Sequence, residues 1–398
     1  MEKSKSIKQL KLFTLIVVFS FSCSREDGLE TTEVYSNKYF VELSTIEGIA
    51  TGIYFPSDGN SSLKSTKPET RTVSSIDEIK NKSNKTSYYI INYKEGGFII
   101  LSADNRIFPI LAYSINNNFV VDDNIYSTNL GFWMEDASAQ IEKTQLSNRE
   151  QSPEIEKVWA RVQHSLINEV FSLKSEPPPD CYDHTEIFTV GPFDEPIWGQ
   201  QDIYNNSLPS IICNGLSFQV RVGCVPLAMA MIMRINEYPT SYTWSSMQLT
   251  YGTQTTANFI EDIHDAINNE DSEWPKYYCG VTLVDEDVVD AVFEDHFNYT
   301  NSSTDNYNYN TVKTDLLNDK PVMLLGWNGL YDGHAWVCEG YRQTTYYYED
   351  CSSVTTYPLF YMNWGKYGQY NGWYSYNNWN PGDDTWNDYK LMIHNITP

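Results

Sequence analysis

Arg221-Val-Gly-Cys-Val-Pro-Leu-Ala-Met-Ala-Met-Ile-Met-Arg-Ile-Asn-Glu-Tyr-Pro239 is the stretch on which the fold turns. Val225 to Ile235 is almost wholly apolar without a β-branched majority, which predicts a helix buried on all sides. Pro226 falls in the first turn, where a missing N–H costs nothing, and Pro239 lies just past the end. Cys224 then stands at the positive end of the helix dipole, among unpaired N–H groups that favour thiolate over thiol. Gly223 lets another segment approach the sulfur. A free cysteine in a core helix also serves as a small hydrophobe, so the meaning of Cys224 rests on its company downstream.

That company begins with Gly333-His-Ala-Trp-Val-Cys-Glu-Gly-Tyr341, a strand pattern with His334 at its start and His334, Trp336, Cys338 and Gly340 on one face. The other histidines, at 164, 184, 264, 296 and 394, sit in helical, linker or terminal contexts. Asn363-Trp-Gly365 closes a later strand. An asparagine there can accept an imidazole N–H and fix the ring, with Trp364 covering the bond. Cysteine, histidine and asparagine in this order and rough spacing satisfy the logic of an activated thiol nucleophile.

These residues carry a resemblance. The cysteine helix, Gly333-His-Ala-Trp-Val, Asn363-Trp-Gly365, and Trp198-Gly-Gln200 with Tyr204-Asn205 are similar to the streptopain family of bacterial cysteine peptidases. Gly96-Gly-Phe-Ile-Ile-Leu-Ser-Ala-Asp-Asn-Arg106 and Pro109-Ile-Leu-Ala-Tyr-Ser114 resemble that family's inhibitory pro-domain. The resemblance implies an α+β fold: a papain-like peptidase domain with its central helix on an antiparallel sheet, behind a small α+β pro-domain. It implies Cys224 as nucleophile, His334 as general acid and base, Gln200 as oxyanion donor, and Asn363 with Trp364 as the orienting pair. It also implies protein or peptide substrates, the chain's own pro-domain as inhibitor, and no cofactor or metal. Pro226, Leu227, Ile203 and the Trp-Gly-Lys-Tyr-Gly run depart from the family pattern. A transglutaminase-like acyl transferase or a catalytically silent surface protein of the same fold are the rival readings.

Around this centre the chain divides into a signal segment (1–22), a polar tether (23–37), a pro-domain (38–150), a helix and linker (151–184) and the peptidase domain (185–398). Lys3, Lys5, Lys8 and Lys11 precede the apolar run Leu12–Phe21, and Cys23 follows in lipoprotein order. Ser20 stands where leucine or valine is usual, so plain secretion remains open beside lipid attachment at Cys23. The expected location is an outer membrane or cell surface, with membrane contact only through the anchor. The formal net charge of -25 excludes nucleic acid as a natural partner.

Within the pro-domain, Ser87–Tyr93 and Gly97–Ser102 read as a hairpin and 130–146 as a helix; the polar run 59–85 reads as a mobile insertion. Ser152-Pro153-Glu154 caps a second helix whose apolar face is Ile155, Val158, Trp159, Val162, Leu166 and Val170. Lys174-Ser-Glu-Pro-Pro-Pro-Asp180 cannot continue it and is the expected boundary and cleavage region. Residues 256–297 read as mainly helical and the remainder as strands. Setting Cys23 and Cys224 aside, Cys181, Cys213, Cys279, Cys338 and Cys351 could form one or two disulfides, with the pairing undetermined.

Overall fold

The computed structural model describes residues 38–55, 69–122, 125, 129–162, 181, 183–328, 332–356, 358–376 and 390–398. The signal segment, Cys23, the second half of the linker helix and the proline-rich run lie outside them. In chain order the first module holds α1 (Leu43–Gly52), β1 (Tyr54–Phe55), β2 (Glu69–Thr70), β3 (Val73–Lys80), β4 (Thr86–Tyr93), β5 (Phe98–Ser102), β6 (Ile110–Ser114) and α2 (Asn129–Leu146). Then come α3 (Pro153–Val162), β7 (His184–Val190), β8 (Ser210–Cys213), β9 (Leu216–Gln219), α4 (Cys224–Asn236), α5 (Gln254–Glu270), β10 (Lys276–Tyr278), β11 (Val281–Leu283) and the single turn α6 (Val289–Ala291). The chain ends with β12 (Ser303–Asn306), α7 (Tyr309–Leu317), β13 (Val322–Asn328), β14 (Asp332–Tyr347), β15 (Ser353–Thr355), β16 (Leu359–Asn363), β17 (Gly372–Tyr374) and β18 (Lys390–His394).

One antiparallel path, β12-β18-β13-β14-β16-β17-β6-β5-β4-β3, runs through both modules, and β7 and β15 also pair with β14. The junction is the pairing of Trp373 with Tyr113 and of Tyr374 with Ala112. Side-chain alternation sorts the central strands into two cores. Met323, Leu325, Ala335 and Val337 face α4, while Leu324, Trp336, Cys338, Met362 and Trp364 face α2 with its Phe132, Trp133 and Met134. Every residue of β4 is buried, because helices cover both faces of the sheet there.

The cysteine helix forms as its composition dictates, with Val225 to Arg234 all buried. Arg234 satisfies its charge by donating from Nε to Met247 O at 2.6 Å and pairing with Glu237 at 3.1 Å. Glu237 ends the helix in the left-handed region at φ 47°. In the first module, Asp104 and Arg106 of the Ala-Asp-Asn-Arg run form a buried ion pair at 2.6 Å.

Several expectations need correction. Part of the run expected to be a mobile insertion is β3, the edge strand paired along β4. Residues 276–283, expected to be helical, form the hairpin β10–β11. The strands read at 334–341 and 344–348 are one 16-residue strand, held straight through by β7 along Tyr341–Tyr347. Ser152 does cap α3, its hydroxyl accepting from Ile155 N at 3.3 Å. Two disulfides are present, Cys181–Cys351 and Cys213–Cys279, and Cys338 is free and buried.

Candidate active site

Cys224 is the first residue of α4, and Gly223 before it adopts φ 90°. A Cβ on Gly223 would meet the side chain and carbonyl of Thr282 at 3.1 Å, so this position combines left-handed backbone with close approach and requires glycine. Backbone N–H groups of Ala335, Val225 and Cys224 itself favour the thiolate, but burial outweighs them and pushes the thiol above its ordinary value. The donors at the helix start and burial thus act on the thiol in opposite directions, and in this state burial is the larger effect.

Ala335 immediately follows His334, so the sulfur meets β14 at the residue next to the histidine. His334 is half-buried and its strand partner is Gly326. Directly opposed residues project to the same face. On that face a Cβ at Gly326 would strike the ring of Phe132 at 2.4 Å. Trp327 covers the start of the strand from beside Gly333, where a Cβ would lie 2.6 Å from its indole nitrogen.

Gln200 joins the same place through the backbone: its carbonyl accepts from Val222 N at 3.1 Å, two residues before the sulfur. It is half-buried, and Gly199 beside it has no room for a Cβ against the Tyr367 ring. Gln201 is exposed, with its N–H donating to Tyr367 Oη at 3.1 Å. Buried Trp198 anchors the segment by donating from its indole to Gln248 O at 2.8 Å.

Both members of the expected orienting pair, Asn363 and Trp364, are buried. Asn363 is fully buried, but its Nδ2 donates to Pro196 O at 2.9 Å and its Oδ1 accepts from Gly365 N at 3.2 Å. It projects with its partner Val337 to the α4 face, away from the face on which His334 starts. Trp364 lies on the α2 side, 5.4 Å between ring centroids from Trp336 and 5.1 Å from Tyr374. In this structure Asn363 fastens the 195–198 segment and Trp364 builds an aromatic core.

Two carboxylates escaped the sequence reading. Glu339 sits at the β-bulge where β14 slips against β16 and is 0% exposed. Burial, then the charge of Glu195, pushes its carboxyl well above the usual range, while the Asn363 amide opposes the shift. Glu195 accepts from Asn371 Nδ2 at 2.5 Å and from Tyr361 Oη at 3.1 Å, and burial raises it too. A glutamate inside the otherwise apolar run 335–341 was the available signal.

Residues 57–141 match the Spi protease inhibitor family, and residues 198–276 and 240–374 match the Peptidase C10 family. A search of curated proteins returns no significant match. Among solved structures, a fragment of prointerpain A from Prevotella intermedia is similar at TM-score 0.55 and 20% identity, over 81% of this chain and 99% of that one. Active interpain A cysteine protease from the same organism aligns at TM-score 0.40 and 20% identity, over 53% of this chain and 96% of that one. The chain carries a Peptidase C10, or streptopain-family, domain behind a Spi-type inhibitor module: it is a cysteine peptidase of papain-like fold.

Proposed function

We propose that the chain is an exported cysteine endopeptidase made as an inactive precursor, with Cys224 as nucleophile, His334 as general acid and base, and Gln200 as a donor to the oxyanion. The observation that carries this reading is the meeting of the Cys224 sulfur with β14 at Ala335, one residue past the histidine. In the reacting state the imidazole takes the thiol proton and the thiolate adds to the peptide carbonyl. The C–N bond then breaks as the imidazolium gives that proton to the leaving amine. Water attacks the thioester, passing a proton to the imidazole, and the C–S bond breaks to release the acid and restore the thiol. Each tetrahedral oxyanion needs fixed donors, and the Gln200 amide with the Cys224 N–H fills that need.

Inhibition in cis rests on the faces of β14. Successive strand residues project to opposite faces, so the thiol engages the strand at Ala335 from the α4 side and the histidine starts on the Phe132 side. A precursor that holds its two reacting groups apart also fits the raised thiol. Undocking of α2 would leave the histidine free to turn to the sulfur.

Maturation is assigned to a cut within residues 149–184. Because β7 is paired along β14 and Cys181 is bridged to Cys351, a cut ahead of Cys181 leaves both with the enzyme. Export, with lipid attachment at Cys23, rests on the order of basic, apolar and cysteine segments; two disulfides suit an oxidising compartment. Cys224→Ala precursor should fold, hydrolyse no unfolded protein and incorporate no amine. It should stay full length alone and be trimmed when a trace of active enzyme is added. Retained hydrolysis by this variant would overturn the assignment.

A further inference from the structure

Nearly half of the exposed large hydrophobic residues among the described ones sit on two small hairpins: Ile212, Leu216 and Phe218 on β8–β9, and Tyr278, Val281 and Leu283 on β10–β11. The Cys213–Cys279 disulfide joins the two hairpin tips with Cα atoms 5.7 Å apart. Strand register sorts their faces. On β10–β11 the inward residues are Tyr277, whose hydroxyl meets His264 Nδ1 at 2.9 Å, and Thr282, which donates to Arg221 O at 2.5 Å. Tyr278, Val281 and Leu283 therefore project outward with Lys276. On β8–β9, Leu216 is paired with Cys213 and Phe218 with Ile211, so both share the face that carries the disulfide.

A solvated hairpin face is ordinarily polar, and exposed apolar side chains gathered in one place mark an interaction surface. Its position says what it meets. Thr282 presses on Gly223, which precedes Cys224, and Val281 and Leu283 are the strand neighbours of Thr282. At about 3.8 Å between successive Cα atoms, the patch begins on the order of 10 Å from the nucleophile. The Cys213–Cys279 disulfide ties it to the hairpin that carries Leu216 and Phe218. Each hairpin is two-stranded, so each keeps a free edge of backbone N–H and C=O groups. An extended chain can pair with such an edge whatever its sequence. The net charge of -25 opposes anionic membranes and a second copy of this chain as occupants.

We infer that the stapled hairpin pair is an exosite for unfolded, apolar segments of the polypeptide substrate, engaging them beyond the residues that flank the scissile bond. The inference rests on the peptidase reading above but concerns binding, so it can fail separately. The test uses the full-length Cys224→Ala chain, where the patch is exposed with the inhibitor module in place, and a reduced, S-carboxyamidomethylated globular protein as probe. Leu216→Ser with Phe218→Ser should weaken binding about tenfold, as expected for two half-exposed apolar side chains, with an unchanged circular dichroism melt. Breaking the staple with Cys213→Ser and Cys279→Ser should weaken it similarly. In the catalytically intact chain after processing, Leu216→Ser with Phe218→Ser should raise KM for the unfolded protein and leave turnover of a tripeptide amide unchanged. Equal binding by parent and variants, no binding by the parent, or an equal loss on the tripeptide would each overturn the exosite. An absence of tripeptide turnover in every form would instead count against the peptidase reading.

Discussion

Replacing Phe132 of the inhibitor module by alanine should wake the uncut precursor. The ring is 8% exposed, fills the space above Gly326, and lies 6.1 Å between centroids from Trp336, two residues along the strand from His334. Truncating a buried phenylalanine costs about 3–5 kcal/mol. The ring also packs within its own module, in the cluster with Tyr88 and Leu130. If half the loss falls on docking, the docked state loses about 2 kcal/mol, or about thirtyfold in the ratio of docked to undocked molecules. Tethering at an effective concentration in the millimolar range keeps most molecules docked, so the variant should remain a precursor with a leak. The assay is the initial rate of tripeptide amide hydrolysis by protein verified as uncut on a denaturing gel. A rise of about thirtyfold over wild type is expected. A variant as silent as wild type, with an unchanged melt, would refute the idea that this ring holds the histidine side closed.

Two other outcomes follow from the site. Gln200→Ala should lower kcat about 100- to 1000-fold with little change in KM, whereas Gln201→Ala, altering an exposed side chain, should do little; the reverse pattern would transfer the oxyanion role to Gln201. Glu339 has a folded-state pKa raised by burial and by Glu195, so its contribution to stability is fully present below the unfolded carboxyl range and is lost as pH rises through the folded value. In a Cys224→Ala background, Glu339→Gln should therefore match wild type in melting temperature at acid pH and exceed it at neutral and alkaline pH; parallel curves would show that Glu339 does not titrate.

The cysteine helix was legible because its apolar run is continuous and its prolines sit where a helix tolerates them. The strand after His334 was legible for the same reason, as an alternating apolar run. Its full length was not, because the polar stretch Arg342–Thr345 is held in the sheet by β7, 153 residues earlier at the Arg342–Thr189 contact. Strand β3 was hidden by its exposed, polar side chains: it belongs to the sheet through backbone pairing, which composition does not record. Spacing brought Asn363 near the site but could not show that its amide nitrogen donates to Pro196 O. Likewise the dipole at Cys224 was visible in the sequence, whereas the burial that opposes it comes from chain far away.

The most direct test is the mass of the Cys224 peptide after brief treatment of the full-length chain, before and after processing, with a peptidyl epoxide that alkylates activated thiols. The account predicts an adduct on Cys224 only in processed protein, and none in a processed His334→Ala chain matured by added enzyme. Equal labelling of Cys224 in the intact precursor, or undiminished labelling without His334, would contradict a thiol that the inhibitor module keeps apart from its base.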